Sequence, residues 1–213
     1  MLFTPPEPPD LSGPPLSPAF FERPPVQVAR KLLGALIVRI FPDGGAAPGM
    51  AVLRVVETEA YDCPHDPSCY VIEKLPGARE ALRGPAGRYY FHRSYEHALL
   101  NVVCMPPGYE ATILIRAAQP LLGSELLRAR RGRVKRELDL TNGPAKLVQA
   151  LDIAPTLAGL SIDQPDCYLL PGQTLAESQV SVTARVGLRL GAALPWRFLE
   201  SGNPWVSPGK PSA

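Results

Sequence analysis

The spacing of apolar and polar positions changes several times along the 213-residue chain. Within residues 26–33 apolar side chains recur every three or four positions, the spacing of a helix with one buried face. Gly34 follows at a position that suits a helix end. Residues 35–40 form a short β-rich run, and residues 50–60 form a longer one carrying Val52, Val55 and Val56. Pro42-Asp43-Gly44-Gly45 between them is a turn signal, so the two runs are expected as a hairpin or as adjacent antiparallel strands. Segment 89–104 is apolar and aromatic, and 111–117 alternates as a strand does. Segments 121–131 and 145–151 have helical spacing, the second introduced by the turn Asn142-Gly143-Pro144. Segments 180–190 and 196–199 again resemble strands. Residues 62–87 are rich in Pro, Gly and charge and lack a strand pattern, and a loop of that length in a compact domain is usually functional or disordered. Strands and helices alternate without regular βαβ units and without internal repeats. The pattern predicts an α+β fold, a single domain around a largely antiparallel sheet.

Composition narrows this picture. Hydrophobic residues make up 46% of the chain, enough for one sizeable core, and the formal net charge is only +2. Net charge alone therefore does not point to a polyanion, and local clusters must carry that case. The first 25 residues hold nine prolines, which remove donors and resist both helix and sheet. The expected division is a Pro-rich disordered tail over 1–19, a folded domain over 20–207 and a short tail over 208–213. No secretory pattern is visible, and no apolar run reaches the roughly 18 residues of a membrane helix. The expectation is a cytoplasmic protein, without membrane contact, whose four cysteines are reduced thiols.

Five places could carry chemistry. Glu57 and Glu59 fall on one face of a strand, because strand side chains repeat every two residues. They are either a solvated strand edge or a pair in which one carboxylate serves as a general base. Asn101 follows the aromatic run Tyr89-Tyr90-Phe91 and Tyr95, which suits a satisfied core Asn or a pocket that sandwiches a flat ring and reads its edge. Arg128, Arg130, Arg131, Arg133, Lys135 and Arg136 place six cations in nine residues, a phosphate-binding run or a solvated helix end. Cys63, His65 and Cys69 could hold zinc, although their spacing matches no common zinc pattern. Ala184-Arg185-Val186-Gly187 and Asn203-Pro204-Trp205-Val206-Ser207 are weaker signals. In the first, Gly187 permits close backbone approach.

Taken in order, these segments resemble the alkyladenine (3-methyladenine) DNA glycosylase family. The resemblance runs through Ala29-Arg30-Lys31-Leu32-Leu33-Gly34, Val56-Glu57-Thr58-Glu59-Ala60-Tyr61 and Ile113-Leu114-Ile115-Arg116-Ala117. It continues in Asn142-Gly143-Pro144-Ala145-Lys146-Leu147, Ala184-Arg185-Val186-Gly187 and Asn203-Pro204-Trp205-Val206-Ser207, so it covers about 20–207. It implies a curved, largely antiparallel sheet flanked by helices, with a protruding hairpin that enters the minor groove of double-stranded DNA. It further implies a monomeric enzyme without cofactor or metal, which flips alkylated purines out of the duplex and hydrolyses the N-glycosidic bond. By matched position, Glu59 is the general base with Arg116 beside it, and Tyr61 stacks on the flipped base. Asn101 lies at the pocket floor, and the backbone around Val186 and Leu188 forms a wall. Three positions depart from the family pattern. Tyr70 stands where the family has a base-contacting His, Phe91 replaces a second stacking Tyr, and Ser94, followed by Tyr95, replaces the intercalating Tyr. Arg130, Arg131 and Arg133 complete the expected DNA contacts. The rival classes are a non-enzymatic nucleic-acid-binding protein and a zinc-stabilised module.

Overall fold

The computed structural model describes residues 9–42, 49–153 and 157–212. Among the described residues nine strands form one antiparallel sheet: β1 (Leu36–Phe41), β2 (Gly49–Asp62), β3 (Tyr89–Ser94), β4 (His97–Val103), β5 (Ala111–Leu122), β6 (Asp163–Gln164), β7 (Cys167–Leu170), β8 (Val180–Thr183) and β9 (Arg197–Glu200). Their order is β3-β4-β5-β2-β1-β7-β6, with β8 and β9 attached through β2. The long strand β2 organises this arrangement. One edge pairs with β5 along almost its whole length. The other pairs first with β1, from Phe41↔Gly49 to Leu36↔Arg54, and then with β9 over residues 57–59. The change of partner coincides with register shifts at Val55/Glu57 and Glu57/Thr58. Such bulges re-aim side chains, and these stand at the two glutamates.

The helices α1 (Pro25–Lys31), α2 (Ala78–Leu82), α3 (Ser124–Arg131) and α4 (Pro144–Leu151) accompany the sheet. α1 and α4 each begin with a proline that pre-sets the helical φ. Val28, Ala29 and Leu32 from the first, with Leu147, Val148 and Leu151 from the second, pack with Ile37, Leu53, Val55, Ile113 and Ile115 of the strands in the main core. Gly34 closes the α1 turn at φ +86°, and a Cβ there would lie 2.0 Å from the Gln173 carbonyl oxygen, so only glycine fits. Thr58 donates its hydroxyl to the Ala29 carbonyl at 2.7 Å, which ties β2 to α1 and fixes Thr58 on the core side. Strand alternation therefore turns Glu57, Glu59 and Tyr61 to the opposite face.

Several sequence expectations are met and others corrected. The hairpin of β1 and β2 forms as expected, while Asp43-Gly44-Gly45 of its turn signal lies outside the described residues. Segment 62–87 is not a plain loop: it holds two 3-10 segments, Cys63–His65 and Pro67–Lys74, followed by α2. The strand expected over 180–190 stops at Thr183, and the helix expected from 121 starts at Ser124 because β5 continues through Leu122. Chain outside 20–207 also packs onto the fold. The Leu16 amide bonds the Leu169 carbonyl at 2.7 Å, and the Ser212 amide bonds the Arg185 carbonyl at 2.8 Å. The expectation of four reduced thiols fails at Cys63 and Cys69. Their Cα atoms lie 5.2 Å apart and they form a disulfide, so neither sulfur is left as a zinc thiolate. Cys104 and Cys167 are free and buried.

Candidate active site

Glu57 and Glu59 are both fully buried, so neither forms a solvated strand edge. Their partners separate their roles. An ionised carboxylate offers about four acceptor sites. Glu57 accepts four bonds, three at one oxygen from Arg116 Nε (2.8 Å), Arg197 Nε (2.7 Å) and the Ser207 hydroxyl (3.0 Å), and one at the other from the Ser207 amide (2.7 Å). Glu57 is therefore a structural counter-ion for two buried arginines. Glu59 accepts three bonds: from the Tyr61 hydroxyl (2.7 Å), from an Arg116 terminal nitrogen (3.2 Å) and from the Val186 amide (2.8 Å).

Those three donors belong to residues in the wall of a cavity of about 350 Å³. The carboxylate of Glu59 thus sits immediately behind the wall, with its charge presented through them. Burial works against the charge on Arg116, but the Glu59 and Glu57 carboxylates outweigh it and raise the arginine's pKa. Burial and the Glu59 charge push the Tyr61 phenol well above its ordinary range, so it stays a protonated donor.

The cavity opens between the sheet and the two segments that cover it. Tyr90 and His92 of β3, Asn101 of β4 and Leu114 of β5 face it from the strands, while Ser68, Cys69 and Tyr70 face it from the 3-10 segment Pro67–Lys74. Val186 and Leu188 close the remaining side. Gly187 has φ +75° with nothing within 4 Å of a built Cβ. A glycine there serves the backbone turn. Asn101 is almost fully buried and gives its amide to the Leu99 carbonyl at 2.9 Å, which turns its oxygen to the other side. Burial lowers the His92 pKa, so this imidazole is neutral at neutral pH, and burial pushes Tyr90 up to about 12.

One residue that sequence reasoning left without a role ties the two covering segments together. Arg185 is fully buried. It donates to Asp66 at 2.8 Å, to the Ala60 carbonyl at 2.9 Å and to the Gly191 carbonyl at 3.2 Å. Its guanidinium lies 4.6 Å from the centre of the Tyr61 ring. Asp66 stands just before the Tyr70-bearing segment and Gly191 just after the Val186–Leu188 wall, so Arg185 joins the two segments that flank the cavity.

Two of the expected groups stand away from the cavity. Phe91 does not line the cavity. Alternation along β3 sends Tyr90 and His92 inward and turns Phe91 to the core side, where it stacks on Tyr89 with centroids 6.4 Å apart. The basic run is not beside the cavity either. α3 packs against the start of β2, where Leu126 lies against Gly49, and Tyr61 stands twelve residues further on, some 40 Å of strand at about 3.3 Å per residue. Its cations are also engaged locally: Arg128 pairs with Glu137, Arg136 with Asp139, Arg131 reaches Gln149, and Arg130 stacks on Phe41. At the cavity mouth stand other groups. Ser94 and Tyr95 reach it from the tip of the β3–β4 hairpin, with Tyr95 at φ 54° and 95% exposed. Arg189 is an exposed part of the wall, and Lys74 lies over the Tyr70 ring at 5.1 Å.

An aromatic-walled cavity backed by a buried carboxylate and arginine is a site for a planar ring and for acid–base chemistry beside it. Comparison with known proteins gives that class its family. The methylpurine-DNA glycosylase family model matches residues 19–204. A protein of Deinococcus radiodurans named "Putative 3-methyladenine DNA glycosylase" is 46% identical over 190 residues, covering 88% of this chain and 97% of its own length. Proteins of the same name from Gloeobacter violaceus (43% over 188 residues, 88% and 84% of the two chains) and Salinibacter ruber (36% over 209 residues, 93% and 98%) are also similar. The chain belongs to the methylpurine-DNA glycosylase family. It is a DNA repair enzyme, a hydrolase of N-glycosyl bonds. Among the described residues no helix is long and apolar enough to cross a membrane.

Proposed function

We propose that this enzyme binds duplex DNA as a monomer, flips an alkylated purine into the 350 Å³ cavity and releases it with a water activated by Glu59. The observation that carries this reading is the contrast between the two carboxylates. Of the donors to Glu57 only Arg116 belongs to the cavity wall, whereas all three donors to Glu59 do, and the Glu59 oxygen that takes the Val186 amide keeps an acceptor site there. A water held on that site lies next to the sugar of a base stacked on Tyr61. As the C1′–N bond breaks, its electron pair leaves with the base. The water oxygen bonds to C1′, Glu59 takes the water proton, and its charge stabilises the oxocarbenium-like sugar. No lysine lines the cavity among the described residues, so a Schiff-base route with strand cleavage has no nucleophile there.

The substrate range follows from leaving-group chemistry. A base such as 3-methyladenine or 7-methylguanine carries positive charge and leaves as a neutral molecule. Hypoxanthine and ethenoadenine are neutral and need a hydrogen bond or proton to leave. Tyr70 offers a ring and a hydroxyl at the position where the family has an imidazole. In single-turnover assays on matched duplexes, the two cationic lesions should be released at least tenfold faster than the two neutral ones. Equal rates would contradict this account of Tyr70.

The placement of the cations predicts a DNA footprint at the cavity mouth. Binding to undamaged duplex should weaken with salt. Exchanging Lys74 and Arg189 together for Ala should reduce the slope of log K against log salt by about 1 for each phosphate that is no longer neutralised. Exchanging Arg130, Arg131 and Arg133 should leave the slope within error. The reverse result would return the footprint to the basic run.

A further inference from the structure

We infer that Ser68 is a specificity-determining residue whose hydroxyl is the hydrogen-bond partner of the edge of a bound neutral purine. This rests on the reading of the cavity as the lesion pocket and names a contact that reading does not contain. Ser68 lines the cavity and is 5% exposed. Its amide is satisfied by Asp66 at 3.0 Å, but its hydroxyl oxygen is buried and has no hydrogen-bond partner. A buried, unpaired hydroxyl is unfavourable and is seldom left so in a folded protein. Nearly all the other buried side-chain donors and acceptors around the cavity are bonded within the chain. Tyr61 is held by Glu59, the Asn101 amide by Leu99, Thr112 by Val102, and both terminal nitrogens of Arg185 by Asp66 and backbone carbonyls.

The position is held rigidly as well as unpaired. Asp66 caps the 3-10 segment through the Ser68 amide and is itself held by Arg185, so Ser68 stands on an anchored part of the covering wall. The disulfide from Cys69 to Cys63 fastens the next residue to the end of β2. A hydroxyl rotates to suit its partner and can donate or accept. Donation to a ring nitrogen or exocyclic oxygen would stabilise the negative charge that develops on a neutral base as the C1′–N bond breaks. A cationic base gains little from it, because it departs neutral. Ser68 thus supplies leaving-group help from the wall that also carries Tyr70.

The test is Ser68→Ala, read in two ways on the full chain. Hypoxanthine release under single turnover should fall about tenfold, the scale of one lost hydrogen bond to a developing charge, while 7-methylguanine release changes less than about twofold. The melting temperature of the free protein should stay level or rise, because the exchange removes an unpaired buried hydroxyl. A lowered melting temperature would show that the hydroxyl serves the fold and overturn the inference, as would an equal loss on both lesions. Absence of base release by the wild-type protein from either duplex would overturn the pocket reading itself, and the Ser68 contact with it. That outcome is distinguished by the wild-type arm alone.

Discussion

Glu59→Gln is expected to slow base release by two to four orders of magnitude while the protein still binds lesion-containing duplex, because the amide keeps the shape and removes the base. The amide oxygen can still accept from Tyr61 and Arg116, and a side chain of the same size leaves only the Val186 amide without its acceptor. The loss should therefore appear in the single-turnover rate and not in affinity. The neighbouring exchange Glu57→Gln should behave differently. By strand alternation alone it is a near-silent control on the same face. In the structure Glu57 neutralises Arg116 and Arg197 with no exposure to solvent, so its loss is felt first as a lower melting temperature. A Glu59→Gln enzyme that excises at near wild-type rate would remove Glu59 from the chemistry.

The second large effect is on stability. Asp66 and Arg185 form an ion pair in which neither side chain touches solvent. Asp66→Ala leaves the guanidinium buried without its counter-charge, at a cost of about 3–5 kcal/mol. For a domain of this size that lowers the melting temperature on the order of 10 °C. Replacing both partners by apolar residues, Asp66→Leu with Arg185→Met, should recover much of the stability, since two matched apolar side chains bury no unpaired charge. Base release should not recover with it. The Tyr61 ring loses the guanidinium 4.6 Å from its centre, and the Ala60 and Gly191 carbonyls lose their donor, so the two walls of the cavity come apart. Calorimetry together with single-turnover rates on the double variant checks both statements. A double variant as unstable as Asp66→Ala would show that the pair does more than balance charge.

Those two experiments turn on interactions that sequence periodicity does not carry. Alternation along β2 places Glu57, Glu59 and Tyr61 on one face, and the family resemblance singles out Glu59, Arg116, Tyr61, Asn101, Val186 and Leu188. All of these meet at the cavity or directly behind it. Burial was not legible, because the partners that bury Glu57 come from 59, 140 and 150 residues away along the chain. The hairpin of β1 and β2 was legible from short-range signals. The 3-10 turns of 63–74 were not, since they are too brief to show a period. Phe91 illustrates a position carried over by resemblance against local alternation: the pleat puts Tyr90 and His92, not Phe91, in the wall. The strand expected over 180–190 is too long because its apolar pattern continues past Thr183, where Arg185 turns inward to Asp66 and Gly187 needs a positive φ. The basic run shows the limit of counting charges, since most of its arginines are spent on local partners.

The most direct test of the central claim is product analysis on a duplex carrying a single 7-methylguanine. With wild-type protein the account predicts free 7-methylguanine in equal amount to alkali-labile sites, no strand break before alkali, and no covalent protein–DNA adduct when borohydride is present. Intact duplex after prolonged incubation, or a nicked strand trapped by borohydride, would contradict it.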